Sequence, residues 1–216
     1  MKFSVLSQLF SPTDEEAMCQ VKLHDDHRAF AQLVERWDEP IRRLCTRMTG
    51  DPYRGEDLKQ DTFARLFERR KRYEPTGRFS TFLWRIALNI CRDELRRVRR
   101  RREFQPDSEE SENSLEILPA DEPTPDAQAA TNEEGELVRR AVLRLPEIYR
   151  TVVVLRYYEH FKLVKIAEIL EIPEGTVNWR LSEALAKLAR IFEPELGESR
   201  SPQPNQSKTN KEVLVL

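Results

Sequence analysis

No apolar run in the 216-residue chain approaches the ~18 residues that a membrane-spanning helix needs, so no bilayer span is expected. Cysteine is scarce. Cys19, Cys45 and Cys91 lie far apart and match neither a disulfide framework nor a ligand spacing. An odd, unframed set of thiols suits a reducing compartment, and a cytoplasmic location is expected. Cys45 and Cys91 fall on or beside apolar stripes and read as buried thiols. The six glycines compose no phosphate-cradling loop, and no nucleophile elbow is present. Of the three histidines, His24 and His27 flank two aspartates. That pair could hold a metal, but no further ligand can be assigned from spacing, and two solvated histidines are the competing reading. No catalytic residue, metal or cofactor is therefore expected, and the chain does not read as an enzyme. The opening MKFSVLSQLFSP has one lysine and an apolar run broken by Ser and Gln, a poor secretion signal.

Charge, by contrast, is abundant and unevenly placed. Charged residues make up 34% of the chain and hydrophobic ones 39%, so the cores must be small. The net charge of -2 conceals a sharp segregation. From Arg85 to Arg102 eight arginines stand against two acids, a net of +6. From Glu103 to Val138 there are twelve acids and no Lys or Arg, a net of -12. A near-neutral total is no argument against a polyanionic partner, because the local field decides.

The cationic stretch reads as one helix with two unlike faces. Phe79, Leu83, Ile86, Ala87, Ile90, Leu95 and Val98 recur at three- and four-residue steps and make a buried stripe. Arg85, Asn89, Arg92, Arg96 and Arg100 recur on another face. Guanidiniums spaced along a rigid helix suit regularly spaced phosphates. Phe79, Phe82 and Trp84 crowd its start, as unstacked bases require. A solvated, Arg-rich surface is the bland alternative.

Around it lie further helices and two irregular stretches. Thr13-Asp-Glu-Glu16 is a capping box. Helical spacing runs from Phe30 to Met48, with a kink or short break expected near Asp38 because Pro40 lies inside it. Asp51-Pro52 starts the next helix, which should bury Leu58, Phe63, Leu66 and Phe67. Its other side carries Asp57, Gln60, Asp61, Ala64 and Glu68, either a docking face or ordinary solvation. Residues 104–134, with Pro106, Pro119, Pro123 and Pro125 among acids, read as a flexible linker whose only apolar cluster is Leu115, Ile117 and Leu118. Leu137–Leu145 and Glu147–Tyr158 predict two more helices. The stripes Leu163, Ile166, Ala167, Leu170 and Val177, Leu181, Ala184, Leu185, Leu188 fit a helix-turn-helix, a plain hairpin being the alternative. After Glu193 the composition predicts a disordered tail closing on Val213–Leu216. The fold class is thus all-α: two small helical domains at 13–103 and 135–193, joined by a flexible acidic linker at 104–134, with a tail at 194–216.

These motifs line up with one family. Gly55-Glu-Asp-Leu-Lys-Gln-Asp-Thr-Phe63, then Phe79-Ser-Thr-Phe-Leu-Trp-Arg-Ile-Ala-Leu-Asn89, then Asp93 and Arg96-Arg97, resemble region two of bacterial sigma factors. Leu145-Pro-Glu-Ile-Tyr-Arg150, Leu155-Arg-Tyr157, Ile166-Ala-Glu-Ile-Leu170 and Ile172-Pro-Glu-Gly-Thr-Val177 resemble region four. Two domains around an acidic linker resemble the extracytoplasmic-function (ECF) group of the sigma-70 family. The resemblance implies a factor that binds RNA polymerase core, recognises the -35 and -10 promoter elements and promotes DNA melting. Asp57, Gln60, Asp61 and Ala64 would dock on polymerase. Tyr73, Phe79, Ser80, Phe82 and Trp84 would capture a base flipped from the -10 element. Arg85, Asn89, Arg92, Arg96 and Arg97 would touch the neighbouring backbone and bases. Thr176, Asn178, Trp179, Arg180 and Ser182 would read the -35 element in the major groove. The implied partners are bacterial RNA polymerase core and promoter DNA, with an anti-sigma factor as a further candidate.

Some positions depart from the family pattern. Lys165 stands where Glu is common, Glu171 where Gly is common, and Glu183-Ala184 replaces a basic run in the recognition helix. Two other readings stay open on the residues alone: a DNA-binding regulator that does not join polymerase, and a sigma-like module that sequesters a partner. The +6 and -12 segments also allow the linker to fold back on the arginine helix as autoinhibition.

Overall fold

The computed structural model describes residues 12–75, 77–104 and 127–198. The N-terminal run, the Leu115–Leu118 cluster and the end of the tail lie outside them. Among the described residues every regular element is helical, and no helix is long and apolar enough to cross a membrane.

Helix α1 (Asp14–His24) opens on the expected capping box, with the Thr13 hydroxyl accepting from the Glu16 N–H at 3.2 Å and the Glu16 carboxylate accepting from the Thr13 N–H at 2.8 Å. The Asp26 carboxylate caps α2 (His27–Thr49) by accepting from the N–H groups of Arg28 and Ala29. Of the kink or short break expected near Asp38, the break does not occur: α2 continues through Pro40. Proline forfeits one intrahelical hydrogen bond, and the burial of Leu33 on one side and of Ile41 and Leu44 on the other holds the helix together across it.

Gly50, at φ 84°, ends α2 in the left-handed conformation that suits glycine. Asp51 and Pro52 then start α3 (Pro52–Glu68), the aspartate accepting from the Tyr53 and Arg54 N–H groups. Leu58, Phe63 and Leu66 are buried, while Phe67 is half-buried against Phe30 with ring centroids 5.1 Å apart. Gly55 sits where α3 crosses α2: a Cβ there would stand 2.2 Å from Thr46 Oγ1 and 2.9 Å from its backbone nitrogen.

A 3-10 turn (Arg70–Arg72) leads on to α4 (Phe79–Phe104), whose apolar stripe closes the core of the first unit. Its first turn receives the Glu15 carboxylate, which accepts from the Phe79 N–H at 2.9 Å. Negative charge there complements the helix dipole. Cys45 and Cys91 are buried free thiols with sulfurs 3.6 Å apart, holding α2 and α4 together as small apolar groups.

The second unit begins with α5 (Ala127–Arg144), whose first turns lie inside the stretch read as linker. Ala127-Gln-Ala-Ala130 are good helix formers, which proline counting overlooks. Helix α6 (Glu147–Val153) does not stay α-helical to Tyr158. It winds into a π turn over Val154–Tyr158, where the Glu159 N–H donates to the Val154 carbonyl at 3.1 Å. Helices α7 (Leu163–Leu170) and α8 (Glu174–Glu198) make the helix-turn-helix, and the backbone of α8 runs helically beyond Glu193.

The two units share one continuous core. Trp84 of α4 meets Phe161 edge-on at 5.3 Å, and a Leu143 methyl lies 2.7 Å from where a Gly50 Cβ would stand. Arg150 fastens the seam: its guanidinium donates to the Leu143 and Leu145 carbonyls and, at 2.6 Å, to the Met48 carbonyl of α2. Burial pushes the Arg150 pKa down, and the nearby Glu147 only partly offsets this.

Gly55→Ala sets two effects against each other. Alanine gains up to ~1 kcal/mol in helix propensity, but overpacking against the Thr46 backbone costs about 1–3 kcal/mol. Urea unfolding is expected to show net destabilisation; a stabilised variant would mean that α2 and α3 separate easily.

Candidate nucleic-acid interface

The cationic face of α4 emerges from the same periodicity that buries its apolar stripe. Asn89, Arg96 and Arg97 are exposed, and Arg85 and Arg92 are half-buried. Glu94 organises part of this face. Its carboxylate accepts from Arg54 Nε of α3 at 2.8 Å and pairs with Arg97 at 3.0 Å. Burial pushes the Glu94 carboxyl up, and the two guanidiniums outweigh that and hold it below its ordinary value.

The aromatic start of α4 is arranged differently from expectation. Tyr73, Phe79 and Trp84 are 1%, 0% and 3% exposed. In this conformation their rings fill the core and meet no solvent, so they do not form an open platform for bases. The reason is the same three- and four-residue spacing: Phe79 belongs to the buried stripe and cannot also face outward. The Tyr73 ring packs against Phe79 and Phe82, and burial beside Glu15 pushes its phenol up to about 12. Ser80 and Phe82 are the residues of this group that reach the surface in part.

On α3, Asp57, Gln60, Asp61 and Ala64 lie exposed on one face, as the spacing predicts. Asp57 pairs with Arg54 at 3.1 Å, and Gln60 donates to Glu56 at 3.2 Å, both within the helix. On α8, Asn178, Trp179 and Ser182 are exposed, while Thr176 and Arg180 are half-buried. The Trp179 ring, 55% exposed, leans on Tyr149 of α6 with centroids 6.3 Å apart.

Sequence reasoning missed the residues that face α4 from the second unit. Glu147 Oε1 stands 2.9 Å from Arg92 Nε, an ion pair off the N–H axis, and Oε2 lies 4.0 Å from Arg96. Arg85 pairs with Glu171 at 2.8 Å and donates to the Glu168 carbonyl at 2.6 Å. The Thr81 hydroxyl, buried in α4, donates to Glu168 at 2.8 Å and accepts from Lys165. Arg47 of α2 pairs with Glu159 at 2.6 Å and lies over the Tyr158 ring. Lys165 and Glu171 are departures from the family pattern, and that was the one available signal. Glu171 carries φ 55° at the end of α7, a left-handed position that costs a non-glycine residue about 1–2 kcal/mol.

The aspartates between His24 and His27 have other work. Asp25 binds Arg70 and Lys71, Asp26 caps α2, and His27 stacks on Phe67. Among the described residues no cluster of three or more potential metal ligands occurs.

Residues 33–102 match the Sigma-70 region 2 family and residues 135–188 the Sigma-70 region 4 family. The chain is 34% identical over 172 residues to the ECF RNA polymerase sigma factor SigW of Bacillus subtilis, covering 76% of this chain and 91% of that protein. This chain belongs to the ECF group of the sigma-70 family. It is also 28% identical over 179 residues to the RNA polymerase sigma-H factor of Pseudomonas aeruginosa, covering 81% of this chain and 91% of that one. In fold it is similar to CnrH, solved in complex with the cytosolic domain of CnrY, with TM-score 0.60 and 21% identity over 84% of this chain and 98% of that one. The sigma factor RpoE of Bartonella quintana, solved with the anti-sigma factor NepR, gives TM-score 0.57 and 22% identity over 76% and 96%. Membership places the chain in RNA polymerase-associated, promoter-specific transcription initiation. Sigma factors are initiation factors rather than enzymes.

Because the folded Glu94 carboxyl is held below its unfolded value, its stabilising contribution is present above the ordinary glutamate value of 4.5 and lost as pH falls through the lowered one. In Glu94→Gln, thermal stability should depend less on pH across that window. An unchanged pH profile would contradict the Arg54–Glu94–Arg97 pairing.

Proposed function

We propose that this chain docks on RNA polymerase core through the α3 face, engages and opens the -10 element along α4, and reads the -35 element with α8. Two neighbouring exposed faces on different helices support this most directly: Asp57, Gln60, Asp61 and Ala64 lie together on α3, while the arginines are carried by α4, and Asp61 and Arg97 line one cleft between them. One surface can hold polymerase while another meets DNA. A simple duplex-binding regulator would have no use for the first.

The chemistry is non-covalent. Strand opening costs a few kcal/mol per unstacked step, and arginine–phosphate contacts with release of counterions offset it. Ser80 and Phe82 are positioned for the first encounter with a base. Tyr73, Phe79 and Trp84 support them from the core. On α8, Asn178, Trp179 and Ser182 present the surface for the major groove, with Thr176 and Arg180 beside them. Site of action and partners follow: the cytoplasm, polymerase core, promoter DNA and an anti-sigma factor.

Reconstitution with bacterial core polymerase and run-off transcription on promoter fragments tests the reading. New start sites and a one-to-one complex are expected. Duplex binding with no polymerase complex would instead establish a free-standing regulator, and core binding with no start sites a sequestering module. Asp61→Arg should weaken core binding roughly tenfold or more, as a charge reversed in a contact does; unchanged affinity would remove α3 as the docking face. Arg96→Ala with Arg97→Ala should leave core binding intact, cut promoter opening and lower the salt slope of DNA binding by about one for each phosphate no longer neutralised. Loss of core binding in that variant would refute the division of labour.

A further inference from the structure

The segment that leads into α4 is held at both ends by α1. At its near end Lys22 Nζ donates to the Tyr73 carbonyl at 2.6 Å, and Lys71 Nζ donates back to the Lys22 carbonyl at 2.9 Å. Asp25, just past α1, pairs with Arg70 and, at 3.5 Å, with Lys71. At the far end the Glu15 carboxylate accepts from the Phe79 N–H at 2.9 Å. Glu15 and Lys22 stand two helical turns apart and so share one face of α1. Helix α1 is a fixed base for them. Ala17, Met18 and Val21 are fully buried, and Asp14 accepts from Trp37 Nε1 at 3.0 Å and pairs with Arg36 at 2.8 Å.

Seven residues of helix span ~10 Å, whereas the steps from Tyr73 to Phe79 span ~20 Å when extended. A chain held at both ends by so short a base bows outwards. Glu74, Pro75, Gly77 and Arg78 are exposed accordingly, and the Gly77 N–H turns back to the Glu74 carbonyl at 3.4 Å. The rings of Tyr73 and Phe79, at the held ends, are buried. Lys22 and Glu15 are half-buried, and their bonds are charge-assisted, which is the stronger class. Both bonds go to backbone atoms, so what they fix is the path of the chain.

We propose that α1 sets the base selectivity of the -10 site: Lys22 and Glu15 are positioning residues that hold the Tyr73 carbonyl and the Phe79 N–H, and thereby place Ser80 and Phe82 so that one base is accepted in one geometry. The claim deepens the promoter reading above and rests on it. A binding constellation discriminates only when its supporting contacts hold it within about 0.5 Å. Neither residue belongs to the α3 docking face or to the arginine face of α4, so polymerase docking and phosphate contacts do not depend on them.

The test reconstitutes holoenzyme from core polymerase and the full chain. The holoenzyme selects from fork-junction DNA whose single-stranded non-template segment is randomised, and sequencing the bound fraction gives the base preference at each position. The wild-type chain should show a sharp preference at one position. In Glu15→Leu with Lys22→Met that preference should fall about fivefold or more, while other positions and affinity for core stay unchanged. Glu15→Gln with Lys22→Arg keeps an acceptor for Phe79 and a donor for Tyr73, and should retain the preference within about twofold. Hydrogen exchange in the free chain should rise across residues 70–79 in the first double variant and not in the second, with α2 and α3 unchanged in both as a sign that the fold is kept. A first variant that weakens binding evenly and keeps the wild-type preference would overturn the proposal, because a merely structural role does just that. Unchanged exchange across 70–79 would overturn it equally. A wild-type holoenzyme with no preferred base would count against the promoter reading, and the exchange result would still decide whether α1 holds the segment.

Discussion

One helix carries two obligations in this protein. The apolar stripe of α4 closes the core against α2 and α3, and its other face presents arginines. Burial fixes the helix's rotation, so the positions of the guanidiniums follow from Leu83, Ile86, Ala87 and Ile90 rather than from any partner. Everything proposed about polyanions depends on that rigidity. An arginine run on a mobile segment would offer charge without spacing, and spacing is what a phosphate backbone recognises.

The same rigid cationic face attracts whichever anions are nearest. In this structure they are glutamates of the second unit, disposed around the helix-turn-helix and at the start of α6. Phosphates and carboxylates compete for one set of donors, and the outcome depends on salt and on what else holds the two units. Apolar contacts such as Trp84 on Phe161 are insensitive to salt, whereas the ion pairs are not. The seam therefore combines a steady component with a tunable one. Arg150, deep between carbonyls of both units, belongs to the steady part.

Much of the architecture was legible because helix signals are local. The box at Thr13, the Asp51-Pro52 start and the stripe of α4 each need only neighbours a turn away. What escaped depends on distant partners. Pro40 reads as a kink or a break, and only the burial of Leu33, Ile41 and Leu44 shows why the helix is not interrupted there. The π turn at Val154–Tyr158 leaves no trace in hydrophobic spacing. Tyr73, Phe79 and Trp84 suit a base platform by composition and a core by position, and in this conformation position prevails. Local reading placed Asp57, Gln60, Asp61 and Ala64 on one face correctly, yet said nothing of Glu147 or Glu168. For Lys165 and Glu171 the sequence offered an anomaly without its cause, and the contacts with Thr81 and Arg85 supply one.

On the proposed reading polymerase meets the α3 face and DNA the cationic face of α4, and because the second unit lies against α4 the two units are expected to part when polymerase binds. Spin labels on exposed positions of the two units, at Leu23 and Asn178, would report the distance between them by electron–electron resonance with and without core polymerase. A short, narrow distance that lengthens on adding core is the predicted result. An unchanged distance in the complex would contradict it.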